Sequence, residues 1–171
     1  MDGKTGGRNR YVLISLISAA LLILITVLSI KWPGKNSPIG KEYTSHIYVN
    51  SSFRLLSVSV NSDSQIFSFN YDSRYNDTFT FEFDPDAGSY VIYKMFSDVP
   101  MYLEETADHE LHMNESPSGE SSRWRLVRLG NTMYFMIINE ESGYALYETE
   151  DDHAILLPAD ENDINMHMRL M

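Results

Sequence analysis

The chain has 171 residues with 13 basic and 24 acidic side chains, a formal net charge of −11, and 43% apolar residues. That is one domain of ordinary size, with enough apolar matter for a packed core. Cysteine is absent, which excludes disulfide frameworks, thiolate zinc sites, iron–sulfur clusters and cysteine nucleophiles.

Residues 1–10 read as a short basic tail carrying Lys4, Arg8 and Arg10. Residues 11–30 contain no charge and are mostly Leu, Ile, Val and Ala. As a helix rising about 1.5 Å per residue, this run spans about 30 Å, the hydrocarbon thickness of a bilayer. Tyr11 and Trp32 bracket it, as interfacial aromatic rings do, and Lys31 and Lys35 can snorkel outward. A cleaved signal peptide has a shorter apolar region followed by small residues, whereas Lys31, Trp32 and Pro33 follow this one. The expectation is a single uncleaved transmembrane helix.

Basic residues are balanced on its two sides, so they do not orient it. A short N-terminal tail before a long C-terminal body is the layout of a signal anchor, with the C-terminal domain outside the cytosol. Residues 31–45 hold Pro33, Gly34, Pro38 and Gly40 and read as a linker.

Charge divides the chain. Residues 1–41 carry six basic side chains and one acid, which leaves seven basic and 23 acidic side chains in 42–171, a net of −16. A body this acidic repels nucleic acid and suits a basic protein partner. Asn50, Asn76 and Asn114 are candidate glycosylation sites, although three sequons are close to what this Asn, Ser and Thr content gives by chance. Pro117 also follows the third.

From residue 46 onward the pattern is that of an all-β domain. Phe79, Phe81 and Phe83 alternate with Thr80 and Glu82, and Leu56, Val58 and Val60 alternate with Ser57 and Ser59, which is the period of a half-buried strand. A shift of 44 residues lays Tyr90–Val127 over Tyr134–Met171 without a gap. Tyr90 meets Tyr134, Glu104 meets Glu148, Asp108 meets Asp152, His109 meets His153 and Trp124 meets Met168. A fainter earlier copy sets Phe67 against Leu111, Phe69 against Met113 and Phe81 near Trp124. Three units of roughly 40 residues, each with about four short strands, fill 46–171.

Three such units resemble a β-trefoil. Ser142–Leu146, Ala154–Leu157 and Met166–Leu170 are similar to the successive strands of a trefoil unit, and Ser122–Leu126 resembles the closing strand of ricin-type lectin units. Ser122, however, stands where those lectins carry Gln. The resemblance takes in ricin-type lectins, fascin-like modules and cytokine-like trefoils alike. It implies a binding module, with protein recognition as the leading function. The alternatives are carbohydrate binding as a lectin, or a structural subunit of a membrane or envelope assembly.

Candidates for chemistry are few. His109 and His112 stand three apart, on opposite faces of a strand, so they would not share a metal. The acids Glu148, Glu150, Asp151 and Asp152 lack the spacing of a calcium loop and read as a solvated turn. Trp124 reads as a core residue, flanked by Arg123 and Arg125, which face the abundant acids. No nucleophile elbow, phosphate loop or zinc-protease motif occurs. The expectation is a protein that is not an enzyme, with no catalytic, cofactor or metal residues.

Overall fold

The computed structural model describes residues 38–61, 64–71 and 77–171. The expected membrane span 11–30, the tail before it and Asn76 lie outside the described residues. Among the described residues no helix is long and apolar enough to cross a membrane.

Alternation sets the local structure. In β5 (Phe79–Asp84) the three phenylalanines are buried while Thr80, Glu82 and Asp84 are not. In β3 (Leu55–Val60) the expected alternation is not kept: Leu56 and Val58 are buried, but so are Leu55 and Ser57 on the other face, and Ser59 and Val60 at the strand end are exposed. Thirteen strands form among the described residues. The first unit has β1 (Glu42–Ser45), β2 (Ile47–Val49), β3, β4 (Gln65–Asn70) and β5. The second has β6 (Ser89–Phe96), β7 (Val99–Glu105), β8 (Leu111–Asn114) and β9 (Arg123–Arg128). The third has β10 (Phe135–Asn139), β11 (Tyr144–Glu148), β12 (Ala154–Pro158) and β13 (Met168–Leu170).

Antiparallel pairing runs β1–β5–β6–β9–β10–β13–β2. β1 and β2 are consecutive pieces of one strand, bent at His46, so the ring closes on itself as a six-stranded barrel. The hairpins β3–β4, β7–β8 and β11–β12 stand outside the ring. Closure leaves the barrel without a free edge.

β1 lies inside the stretch expected to be a linker. Three of its four residues are exposed, so it carries no apolar alternation to betray it. Its pairing with β5, from Glu42 opposite Glu82 to Ser45 opposite Phe79, is what makes it a strand.

The core is continuous through the three units. Trp124, Tyr90, Phe69, Phe79, Phe81 and Ile137 are fully buried within it. Trp124 is 0% exposed, and its indole N–H donates to the Leu103 carbonyl at 2.9 Å, which satisfies the one polar atom it brings inside. Met168 holds the matching place in the third unit, also at 0%.

The repeat is real but not gapless. Tyr90 pairs with Trp124, and Phe135, not Tyr134, pairs with Met168. In the hairpins Glu105 pairs with Leu111, and Glu148 pairs with Ala154. Glu105, not Glu104, is therefore the counterpart of Glu148. The turn residues agree. Thr106 N–H donates to Glu110 O and Thr149 N–H to His153 O, while His109 and Asp152 both adopt positive φ, 60° and 68°. His109 thus matches Asp152, and His153 matches Glu110. Length changes in exposed turns produce these one-residue slips, because surface turns tolerate them and the core positions do not.

Candidate functional site

Glu105 and Glu148 are buried carboxylates, which demand partners. Each finds serine partners in the first turn of the following unit, and Glu105 also meets a histidine of its own hairpin. Glu105 accepts from Ser142 Oγ at 2.5 Å and meets His109 Nδ1 at 2.5 Å. Glu148 accepts from Ser51 Oγ at 2.9 Å, from Ser52 Oγ at 2.6 Å and from Arg54 at 3.4 Å, and Arg54 also pairs with Asp152. These are clasps between successive units. The turn expected to be solvated therefore contains a buried acid. Val58 takes the corresponding place in the first unit, an apolar residue with no clasp to make.

The clasps explain the residues that most resemble catalytic machinery. Ser142, His109 and Glu105 lie in one cleft, with the His109 ring stacked on Tyr144 at 4.0 Å between centroids. Yet the Ser142 hydroxyl donates to the carboxylate rather than to the imidazole. His109 sits in a turn rather than in a strand, and His112 is exposed on β8. Among the described residues no group of three His, Cys, Asp or Glu side chains is placed to hold a metal ion.

A second cleft, of about 430 Å3, is built differently. Asp84, Asp86, Ala87 and Ser89 come from the β5–β6 turn, Glu120 from the 3-10 turn Gly119–Ser122, Arg123 from the start of β9 and Glu140 from the end of β10. Asp84 shapes the turn by accepting the N–H groups of Asp86 at 2.9 Å and Ala87 at 3.2 Å, and Gly88 supplies the left-handed φ of 74° that closes it. Arg123 donates to Asp84 at 2.8 Å. That bond holds the Asp84 carboxyl below its ordinary range, with the two turn N–H groups helping against partial burial. Arg125 holds Glu140 at 2.9 Å. Asp86 and Glu120 are exposed, and no ion pair engages them among the described residues. Sequence reading did not single out this cleft, because its acids are scattered from 84 to 140. Ser89 carried no signal at all.

An apolar cleft of about 260 Å3 lies between Tyr48, Phe53, Tyr134 and Met171. Phe53 is 71% exposed in the left-handed region, at φ 60°. Asn50 stands at the lip of this cleft and is half-buried. The Asn114 amide is turned inward, with Nδ2 donating to Glu104 at 3.4 Å and Oδ1 accepting from Glu115 N–H at 2.9 Å.

No protein-family model matches this chain, and no curated protein sequence matches it. Its backbone is similar to that of a GlcNAcα1-4Gal-releasing endo-β-galactosidase from Clostridium perfringens, at 12% identity over 75% of this chain and 32% of that chain, with a TM-score of 0.62. This chain therefore spans about a third of the galactosidase. It is similar to a Polyporus squamosus lectin bound to a human-type influenza-binding epitope, at 13% identity over 77% and 49% of the two chains, with a TM-score of 0.63. The designed threefold-symmetric protein ThreeFoil matches at 20% identity over 75% of this chain and 97% of that one, with a TM-score of 0.58. With a closed barrel, three hairpins and a threefold repeat, the body of this chain is a β-trefoil.

Proposed function

We propose that the chain is a membrane-anchored recognition module. The 11–30 segment holds it in the bilayer, the trefoil stands outside the cytosol, and its acidic surface binds a protein partner that presents basic groups. It is not an enzyme. The observation that carries this reading is how the acids are placed. Among the described residues only Glu104, Glu105 and Glu148 are buried, and each is hydrogen-bonded internally. Every other described carboxylate is at least partly open to solvent, where it can steer a basic partner. The bonding of Ser142 to Glu105 rather than to His109 supports recognition over catalysis.

A carbohydrate ligand is the second reading. Two observations favour it: the polar cleft beside the His109–Tyr144 stack, and fold likeness to a lectin whose structure holds a glycan epitope. Fold likeness alone does not choose a ligand.

The test uses the full chain in lipid nanodiscs against a panel of basic, neutral and acidic peptides and a glycan array. The expected result is binding confined to basic peptides. Association rates should fall as salt shortens screening from about 8 Å at physiological strength to about 3 Å at 1 M, while dissociation changes less. Saturable glycan binding without peptide binding would replace this reading with the lectin.

A further inference from the structure

The Asp84–Glu140 cleft holds a buried polar atom with nothing to bind. Ser89 is 1% exposed, and its Oγ has no hydrogen-bond partner among the described residues. Its neighbour Tyr90 packs into the core, so strand alternation turns Ser89 to the outer face of the barrel, where it forms part of the cleft wall. A buried hydroxyl left unsatisfied is costly, and native proteins rarely leave one without a reason.

The balance of donors and acceptors around it is one-sided. Four carboxylates line the cleft against one guanidinium, that of Arg123. Arg123 is committed to Asp84, and Glu140 is paired with Arg125, which lies outside the cleft lining. The carboxylates of Asp86 and Glu120 are left over, together with the Ser89 hydroxyl. Four carboxylates outnumber the donors here, the single Ser89 O–H included, so what this cleft is short of is N–H donors and positive charge. A sugar would bring acceptors as well as donors and would leave charge unmatched. A guanidinium brings five N–H donors, a fixed positive charge and no acceptor.

We propose that this cleft is an arginine pocket, receiving the guanidinium of an arginine side chain on the protein partner, with Asp86 and Glu120 as its charge partners and Ser89 Oγ as a further acceptor. This rests on the protein-recognition reading above and assigns the place and the chemical group. Charge-assisted, forked hydrogen bonds of this kind are directional, so the pocket distinguishes arginine from lysine where a diffuse acidic surface would not.

The experiment titrates the full chain in nanodiscs with acetyl-Gly-Arg-Gly-amide, and with the same peptide carrying lysine or citrulline in place of arginine. Citrulline keeps the shape and removes the charge. The arginine peptide should bind at least about tenfold more tightly than either relative. The double variant Asp86→Asn with Glu120→Gln should weaken it at least about tenfold. Ser89→Ala should weaken it about threefold and leave the melting midpoint unchanged or raised, because it removes an unpartnered polar atom. The control is Glu150→Gln with Asp151→Asn, an exposed pair in another turn with the same change in charge, and it should change affinity less than about twofold. If the control weakens binding as much as the cleft variant, or if lysine binds as well as arginine, the pocket is overturned. Salt-dependent binding of basic peptides that survives in the cleft variant would overturn the pocket while leaving the recognition reading in place.

Discussion

Neutralising Glu148 should loosen the third unit from the first. The carboxylate is buried and takes two serine hydroxyls, at 2.9 and 2.6 Å, and the Arg54 guanidinium at 3.4 Å. Hydrogen bonds to a charged group are each worth about 1.5–3 kcal/mol, and neutral ones about 1 kcal/mol. Glu148→Gln keeps one acceptor oxygen and loses the charge, so we expect a cost of about 2–3 kcal/mol. Arg54 is retained by Asp152, which keeps the cost below the roughly 3–5 kcal/mol of a broken buried pair. Glu105→Gln should cost less, about 1–2 kcal/mol, because its partners are one hydroxyl and a histidine that is charged only when protonated. A competing effect has the opposite sign: removing any one negative charge relieves self-repulsion in a body of net −16. Glu150→Gln, exposed in the same turn, measures that term alone. Thermal unfolding of the full chain in detergent, followed by circular dichroism, should order the midpoints as Glu150→Gln, Glu105→Gln, Glu148→Gln, from highest to lowest. For a body of this size about 2–3 kcal/mol corresponds to roughly 10 °C. A Glu148→Gln midpoint equal to or above that of Glu150→Gln would refute the clasp.

Trp124→Ala should destabilise by about 3–5 kcal/mol, read as a lowered denaturation midpoint, since the side chain is wholly buried and its N–H is paired. Asp84 has a lowered pKa in the folded chain. Its pairing with Arg123 therefore adds stability above the unfolded value of 3.8 and loses it as pH falls through the folded value. The Asp84→Asn variant should consequently be less stable than the parent at neutral pH, by under about 1 kcal/mol for this half-exposed pair, and the gap should close when unfolding is measured in strong acid. The full chain should stay with membranes after carbonate extraction, and protease added outside the cell should remove the body. Release of the chain into the carbonate supernatant would overturn the anchor.

Much of the fold was legible because its signals are local. Alternating phenylalanines marked β5, and a repeat of about 44 residues marked the units. What failed to show has one cause. β1 became a strand only through its pairing with β5, and no apolar face of its own announced it. The gapless repeat set Glu104 against Glu148 because identity of type guided the alignment, whereas burial and pairing set Glu105 there. Sliding a sequence cannot see a turn that has lost or gained a residue. The cleft was harder still. Asp84, Ser89, Glu120 and Glu140 meet only after the barrel closes, and a serine whose importance lies in lacking a partner leaves no trace in composition.

The acids of this body therefore do two different things, and burial separates them. Glu105 and Glu148 are spent inside, on serines and on one cation, in joining units whose apolar faces already pack. Charged groups used in this way contribute definition more than net stability, since their desolvation offsets much of the attraction. Asp86 and Glu120 join nothing. Asp86 stands on a turn that Asp84, Arg123 and Gly88 hold in shape without it, and Glu120 stands on the separate 3-10 turn Gly119–Ser122. A protein that can satisfy a buried carboxylate with neighbouring serines, as this one does twice, has the means to satisfy Ser89 as well. That it leaves Ser89 unmatched in a cleft lined by two carboxylates outside any ion pair among the described residues is the reason to look for the binding event there, rather than in the better-bonded cleft around His109.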